Sequence, residues 1–380
     1  MKCMALVYFD AGGGHRNAAM ALQQVLQQSK FPWDVQLVNL QEILDSIDIV
    51  RQVTGLRIQD AYNHMLQNGW TLGSRQLMRV LQGVIWLYHP KTVRLLQRFW
   101  GEFRPDLVAS LVPHFNRALC ESLRNACPGK PFLTILTDIA DYPPHFWIER
   151  QEQFLICGSE RAVQQAREFG HADDRIFRTS GMILNPRFYN YTPVDRAVER
   201  VNAGLEAERM TALVLFGGQG VRKKMLEIDR RLSESGLPIQ LILICGKNER
   251  LRNELRAETR AVPRLIEGFT KNVPYYMQLA DFFIGKPGPG SIAEALAMGL
   301  PVVIERNAWT LPQERYNAGW VKEKEVGLVL SSFDTVVEAV TTLLNKDTFA
   351  TFQCNAKKMN NRALFEIPDI LSRILQQTNS

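Results

Sequence analysis

Short apolar runs that end in glycine recur along the chain, and each is followed by residues with helical spacing of apolar positions. Three examples are "MALVYF" (4–9) before the glycines at 12–14, "TALVLF" (211–216) before a Gly-Gly pair, and "DFFIG" (281–285) before Pro-Gly-Pro-Gly. A buried strand, a glycine turn and a helix form the repeating unit of parallel sheets. The sequence therefore predicts an α/β protein.

These units fall into two series, with apolar runs at 4–9, 35–40, 106–111, 132–138 and 153–159, and then at 211–220, 239–248, 281–299 and 301–305. The stretch between them (181–193) is rich in Pro, Asn and Tyr, as linkers often are. At ~150 residues per domain, 380 residues also suggest two domains. We expect two parallel-sheet α/β domains, 1–185 and 186–380, with a cleft between them.

Composition limits the partners and the compartment. A net charge of +6 permits an anionic membrane surface, a nucleic acid or a phosphorylated ligand. No nucleic-acid module is recognisable, so nucleic acid is not an expected partner. The six cysteines form no Cys-x-x-Cys pair, which fits a reducing cytoplasm. Neither a secretory signal nor an uncharged apolar stretch of ~18 residues is present, so we expect a chain that does not cross the membrane but can lie on it.

The most informative motif is "KPGPGSIAE" (286–294), which follows a strand and opens a helix. Gly288 and Gly290 let backbone amides approach a ligand closely. Ser291 and Glu294 read as a capping box at the start of the helix, which by itself needs no ligand. The run Lys-Pro-Gly-Pro-Gly is not explained by capping, and a helix N-terminus attracts phosphate. The motif therefore favours a phosphate site.

Six segments in order extend this motif into a resemblance: "GGGHRNAA" (12–19), "TDIADYPPHFW" (137–147), "LVLFGGQG" (213–220), "ICGKNERL" (244–251), "GFTKNVPYYMQLADFFIGKPGPG" (268–290) and "QERYN" (313–317). They resemble the diacylglycerol glycosyltransferases, whose type member is monogalactosyldiacylglycerol synthase; the peptidoglycan GlcNAc transferase is a more distant relative. The resemblance implies a GT-B fold of two Rossmann-like domains that face each other across the cleft, with the last helix packing back on the N-terminal domain. It also implies a UDP-sugar bound to the C-terminal domain and the acceptor to the N-terminal domain.

The resemblance also implies roles for individual donor-site residues. The amides around Gly290 and Ser291 would meet the diphosphate, with the loop 217–220 close to it. Glu294 would meet the ribose, and Gln313 with Glu314 the sugar hydroxyls. The segment 268–270 would frame the uracil. The full donor set implied is Gly217, Gly218, Gln219, Phe269, Thr270, Lys286, Gly288, Gly290, Ser291, Glu294, Gln313, Glu314 and Asn317. In one departure, Asn185 stands where the family commonly has a phosphate-binding arginine. Arg187, Lys223 or Lys286 can supply that charge.

His15 is the expected general base. It follows the glycines at a predicted helix start, where the helix dipole favours the neutral imidazole. A neutral imidazole can take a proton from an attacking hydroxyl. From the residues alone, a capping or packed histidine is the alternative; the resemblance implies a catalytic or acceptor-positioning histidine. Asp138 is expected to orient His15 or to act as the base. Gly13, Gly14 and His145 complete the expected acceptor side, and Asp141 is a further rival.

The segment 70–104 carries six basic residues and one acidic residue. Leu77, Leu81, Val84 and Tyr88 form one apolar helical face, and Trp70, Trp86, Phe99 and Trp100 add aromatic bulk. Such a helix either packs on the N-terminal sheet or lies in the interface of an anionic bilayer. A lipid acceptor favours the membrane, with Trp86, Arg79 and Arg94 as contact residues.

Together these features predict an inverting transferase that moves a hexose from a UDP-sugar to a lipid, with diacylglycerol the expected acceptor. It would act as a peripheral protein on the inner face of the cytoplasmic membrane. No cofactor is expected, and the lack of an Asp-x-Asp motif predicts no required divalent metal. The alternatives are another acceptor, a UDP-sugar epimerase, or a non-catalytic nucleotide-sugar-binding protein. The presence of His15, Gln313 and Glu314 argues against the last of these.

Overall fold

The first half of the chain forms a six-stranded parallel sheet. A computed structural model describes residues 2–10, 14–45, 74–218 and 220–379, without the side chains of 74–81 and 378–379. The sheet has the order β2-β1-β3-β4-β5-β6. Its strands are β1 (Cys3–Tyr8), β2 (Asp34–Asn39), β3 (Leu107–Ser110), β4 (Phe132–Ile135), β5 (Phe154–Cys157) and β6 (Ile176–Arg178). The accompanying helices are α1 (Gly14–Gln28), α2 (Leu40–Leu44), α3 (Ser74–Phe103), α4 (Asn116–Ala126) and α5 (Glu160–Glu168).

The second half repeats this architecture with the strand order β12-β11-β10-β7-β8-β9. The strands are β7 (Met210–Leu215), β8 (Ile239–Ile244), β9 (Arg264–Glu267), β10 (Phe282–Gly285), β11 (Val302–Glu305) and β12 (Gly327–Leu330). The helices are α6 (Arg196–Asn202), α7 (Arg222–Glu234), α8 (Glu249–Ala257), α9 (Val273–Leu279), α10 (Pro289–Ala297), α11 (Arg315–Glu323), α12 (Val336–Leu343), α13 (Lys346–Lys358) and α14 (Ala363–Asn379). Short 3-10 turns occur at Asp173–Arg175, Pro186–Phe188, Pro312–Glu314 and Phe333–Thr335.

The prediction of two Rossmann-like parallel sheets is confirmed. Every paired strand runs parallel to its neighbours. The strands are continuous apolar runs because helices cover both faces; all six residues of β8 are buried. In the second sheet, β8 and β9 are added on one side of β7, and β10 to β12 are added on its other side. The neighbouring strands β7 and β10 therefore form a topological switch point. Ligands of open α/β sheets bind at the carboxyl ends of the strands at such a switch point, so the loops after β7 and β10 are where a ligand is expected.

The stretch predicted as a linker is packed against the second sheet. Leu184 and Phe188 are 2% and 5% exposed and belong to the core of that sheet. Gly181 lies so close to Asn361 that an added Cβ would stand 2.6 Å from the Asn361 side chain. The segment 181–188 is therefore a packed crossing between the two halves.

The last helix, α14, returns to the first sheet. Leu364, Ile367, Leu371 and Ile374 are at most 1% exposed, and they share a core with Leu6 and Leu22. The chain therefore crosses between its halves twice, once near 180–188 and once near 359–363.

Helix α3 has two different halves. Its C-terminal half packs on the first sheet through Val93, Leu96 and Trp100, which are at most 6% exposed. Its middle exposes Trp86 and Leu87 to 73% and 67%. Packing thus explains Trp100, whereas Trp86 remains at the surface. In the part of the chain that the structure describes, no helix combines the length and apolar character needed to cross a bilayer.

Candidate active site

The loop after β7 lies at the switch point of the second sheet. Gly217 and Gly220 have φ values of +71° and +65°. A Cβ at Gly220 would stand 2.3 Å from the Cys245 carbonyl oxygen, so only glycine fits there. The Lys247 amide donates to the Gly218 carbonyl at 2.9 Å, which joins this loop to the one after β8. Gln219, predicted beside the phosphates, lies outside the described residues.

Helix α10 begins three residues earlier than the capping-box prediction requires, so that prediction is wrong. Gly288 is the N-cap, Pro289 is the first helical residue, and no side chain caps the helix. Proline suits this position because its ring fixes φ and the first turn needs no N–H partner. The first intrahelical bond runs from the Ile292 amide to the Gly288 carbonyl at 3.1 Å. The Gly290 and Ser291 amides precede it and point out of the helix end, as phosphate binding requires.

The loop before α10 is clamped to the segment 312–317. Lys286 Nζ lies 3.1 Å from Glu314 Oε1, and Glu314 is 7% exposed. Asn317 Nδ2 donates to the Pro287 carbonyl at 2.8 Å. Gly288 leaves room for the ion pair, since its Cβ would stand 3.0 Å from Lys286 Cε. Gln313 lies in the same 3-10 turn as Glu314. The structure thus brings together the residues predicted for the phosphates and the sugar.

Arg187 lies on the same side of the molecule as α10. Its Nε donates to Asn185 Oδ1 at 2.9 Å, and its Nη1 donates to the Lys271 carbonyl. Burial raises the pKa of Glu294 to about 7, and the nearby positive charge of Arg187 opposes that rise. Arg187 is therefore placed within electrostatic reach of the predicted ribose-binding carboxylate, although Asn185 replaces the family's arginine.

The segment predicted to frame the uracil is a surface loop after β9. Phe269 is 52% exposed, and Lys247 Nζ lies 5.6 Å from its ring centroid. Thr270 Oγ1 accepts a hydrogen bond from the Asn272 amide at 3.0 Å. An exposed aromatic ring on a fixed loop can stack on a planar base.

On the first sheet, His15 lies in the first turn of α1, directly after Gly14; Gly13 lies outside the described residues. The His15 ring is half-buried, with Nδ1 2.9 Å from Thr137 Oγ1 and its centroid 5.7 Å from that of Trp147. Burial lowers the pKa of His15 to about 4, so the imidazole is neutral at pH 7. The prediction of a neutral imidazole agrees with this pKa, but the main cause is burial rather than the helix dipole.

Asp138 does not hydrogen-bond to His15, so it does not orient the imidazole by direct contact, and its role as the base stays a prediction. Its Oδ2 accepts from Trp147 Nε1 at 2.8 Å instead, because its side chain is buried beside the indole. Burial raises the pKa of Asp138 to about 7, and the Trp147 hydrogen bond opposes the rise. Asp141 is fully buried; it accepts from the Trp147 and His145 amides at 2.6 and 3.1 Å. Asp141 therefore holds the loop rather than facing a substrate.

His145 and His114 frame the same loop. His145 Nδ1 lies 3.2 Å from Glu149 Oε2, and its ring stands 4.8 Å from Phe169. Its acceptor role stays a prediction. His114, which the sequence did not single out, follows β3 with φ of +67° and a ring 4.4 Å from that of Phe146. Nothing in "VPHFN" signals a positive φ at a histidine, so the sequence offered no way to find it.

The two halves of the site face each other. Asp138 of the first half interacts electrostatically with Glu314 and Lys286 of the second half. The rings of Tyr142 and Tyr316 are 5.3 Å apart across the same gap. The gap also contains a cavity of about 100 Å³, lined by α10, α11 and the loops after β5 and β6. Asp138, whose partner Trp147 packs beside the His15 ring, therefore lies within electrostatic reach of Glu314.

The exposed face of α3 carries a stripe of apolar residues that is continued by basic residues. Val84 and Leu87 are exposed on it, followed at helical spacing by exposed Lys91, Arg94 and Arg98. Trp86 stands beside the stripe. The side chain of Arg79 lies outside those described, as do those of Leu77 and Leu81; Trp70 lies in an undescribed segment.

Comparisons with known proteins agree with this architecture. Residues 211–374 match the model of the glycosyltransferase family 28 C-terminal domain. Over 99% of its length, the chain is 25% identical to monogalactosyldiacylglycerol synthase 3 of Arabidopsis thaliana, covering 82% of that protein. It is 23% identical, also over 99%, to the processive diacylglycerol beta-glucosyltransferase of Bacillus subtilis, covering 96% of it.

A solved structure resembles the whole fold. The MurG structure from Acinetobacter baumannii aligns with a TM-score of 0.66 at 15% identity, covering 98% of this chain and all of that one. The predicted resemblance is confirmed: the chain has a GT-B-like fold, its residues 211–374 match the glycosyltransferase family 28 C-terminal domain, and it is similar along its length to diacylglycerol glycosyltransferases.

Proposed function

We propose that this glycosyltransferase moves a hexose from a UDP-sugar to a membrane lipid, with diacylglycerol as the acceptor. The observation that carries the proposal is the pairing of a helix N-terminus, α10, with a neutral histidine across one gap. The Gly290 and Ser291 amides suit a diphosphate, and His15 suits a hydroxyl nucleophile. The names of the full-length relatives favour a diacylglycerol acceptor.

The proposed reaction is a single displacement. The acceptor hydroxyl oxygen forms a bond to the anomeric carbon from the face opposite UDP, and the bond from that carbon to the diphosphate oxygen breaks, which inverts the configuration. His15 takes the hydroxyl proton. The α10 amides, with Arg187 and Lys286, stabilise the negative charge that develops on the leaving UDP. These groups provide the positive charge, so we expect the reaction to need no divalent metal or other cofactor.

The location follows from the exposed stripe on α3. Val84, Leu87 and the neighbouring Trp86 can enter the interfacial region of a bilayer, while Lys91 and Arg94 contact anionic headgroups. We propose that the protein binds peripherally to the inner face of the cytoplasmic membrane, where diacylglycerol and a cytoplasmic UDP-sugar can meet.

The test is a donor screen on the purified protein. UDP-glucose or UDP-galactose with diacylglycerol vesicles should release UDP and yield a glycolipid of inverted anomeric configuration, with or without EDTA. His15→Ala should lower the rate by at least ~100-fold and leave UDP binding nearly unchanged. Equal UDP release without lipid would refute the lipid acceptor. Interconversion of UDP-sugars would indicate an epimerase, and binding without turnover a non-catalytic protein.

A further inference from the structure

The two ring nitrogens of His15 have different surroundings. Nδ1 lies 2.9 Å from the hydroxyl oxygen of Thr137, two residues past the end of β4. We propose that Thr137 sets the tautomer of His15: its hydroxyl accepts the Nδ1 hydrogen, so that Nε2 keeps a lone pair for the proton of the attacking hydroxyl. Both the choice of this tautomer and the use of that lone pair rest on the proposed function, because a hydroxyl can also donate to a bare Nδ1.

The inference follows from the chemistry of a neutral imidazole. Such a ring has one N–H and one bare nitrogen, and only the bare nitrogen can accept a proton. Since Nδ1 is engaged by Thr137, Nε2 is the nitrogen left for a substrate. A hydrogen on Nε2 would turn the base into a donor. A threonine oxygen can accept from Nδ1–H and still direct its own hydrogen to a second partner.

The plane of the ring is held from its other side by Trp147. This indole is fully buried; its Nε1 donates to Asp138 at 2.8 Å and its backbone amide donates to Asp141 at 2.6 Å. The His15 ring packs on this fixed indole. Within the described ranges, no carboxylate hydrogen-bonds to His15. A carboxylate partner would favour the imidazolium, whereas a hydroxyl can fix the tautomer and leave the ring neutral.

Two variants of Thr137 separate the hydroxyl from the shape of the side chain. Thr137→Val keeps the branched shape and removes the hydroxyl, and Thr137→Ser keeps the hydroxyl. The tautomer is read by nitrogen NMR on protein with ¹⁵N-labelled histidine, free of substrate, with the His15 signals assigned by their loss in His15→Gln. We expect protonated Nδ1 in the wild type and in Thr137→Ser, and a shift towards protonated Nε2 in Thr137→Val.

Protonated Nε2 in the wild type, or an unchanged tautomer in Thr137→Val, would overturn the proposal. The wild-type spectrum decides even if the valine variant does not fold. Because the spectra need no substrate, they stand whatever the donor screen finds. Where transfer is measured, Thr137→Val should lower kcat roughly tenfold, the factor of one lost hydrogen bond, with an unchanged KM for the UDP-sugar. Thr137→Ser should restore the rate, which a purely structural role of the methyl group would not predict.

Discussion

At the scale of single residues, Asp138 links the chemistry of the site to the stability of the fold. Burial is the largest cause that raises its pKa to about 7, and the charge of Glu314 adds to the rise. In the unfolded chain its pKa is near the ordinary value of 3.8. Between these two values the folded protein binds more protons at Asp138 than the unfolded chain does. The contribution of Asp138 to stability is therefore present at low pH and is lost as pH rises through about 7.

Asp138→Asn should remove this pH dependence. We expect the free energy of unfolding of the wild type to fall relative to the variant as pH rises from 5 to 7, by up to about 1.4 kcal/mol per pH unit. Urea unfolding of both proteins at pH 5, 6, 7 and 8 measures the difference. Curves that stay parallel over that range would show that Asp138 titrates normally.

Arg187 is the residue on which donor affinity is expected to depend. Its guanidinium is exposed at the cleft and tied to Asn185 and to the Lys271 carbonyl, so it is held in place without a carboxylate hydrogen-bonded to it among the described residues. Arg187→Gln should raise the Kd for UDP about tenfold, as loss of one charge-assisted hydrogen bond would. Calorimetric titration with UDP gives the value.

Arg187→Lys is the matched control, because it keeps the charge but loses the planar fork. It should fall between the wild type and Arg187→Gln. If Arg187→Gln binds UDP as tightly as the wild type, the phosphate charge is supplied by Lys286 or Lys223 instead, and the replacement of the family's arginine by Arg187 is refuted.

At the scale of elements, α3 shows how one helix can serve two environments. The buried Leu96 and Trp100 fix its C-terminal half on the first sheet, so the exposed Trp86 and Leu87 are carried on a supported helix. This arrangement separates the effects of mutation, since changes at exposed positions should leave the sheet intact.

Trp86→Ser with Leu87→Ser should therefore weaken binding to vesicles without lowering the melting temperature. We expect the bound fraction on anionic vesicles to fall at least several-fold, because both side chains lose apolar contact with the interface. Co-sedimentation with vesicles of anionic and of neutral lipids measures it. Arg94→Gln with Arg98→Gln is the matched charge variant, and it should affect only the anionic vesicles. Unchanged sedimentation of both double variants would show that the stripe is an ordinary solvent-exposed surface that does not bind membranes.

The elements also show what the sequence could predict. Long apolar runs such as those of β7 and β8 are buried on both faces, so their composition alone indicates parallel strands. The start of α10 was misplaced because Ser291 and Glu294 have capping-box spacing, whereas proline at 289 starts the helix earlier. The Thr137 contact of His15 joins residues 122 positions apart, and no local pattern reveals such a pair.

At the scale of the whole molecule, the site exists only where the two halves meet. Asp138 belongs to the first half, while Lys286 and Glu314 belong to the second, yet their charges interact. The double crossing of the chain explains how the halves stay aligned. Phe188 anchors the first crossing in the second core, and α14 carries the chain back into the first core.

This architecture predicts that mutations in the two cores can be told apart by a ligand. Leu371 on α14 and Leu343 on α12 are both fully buried, the former in the first core and the latter in the second. Either Leu→Ala change should cost about 2–5 kcal/mol. On the proposed function, UDP should raise the melting temperature of the unit that contains its site, which we place in the second half.

Leu371→Ala should therefore lower a melting transition that UDP does not shift, and Leu343→Ala should lower the transition that UDP does shift. Differential scanning calorimetry of both variants, with and without UDP, tests this directly. A single transition that moves equally in both variants would mean that the two halves unfold as one cooperative unit. The double crossing would then couple the cores more strongly than their separate packing suggests. Helix α14, which joins the C-terminal end of the chain to the first core, would transmit a loss of stability in one core to the other.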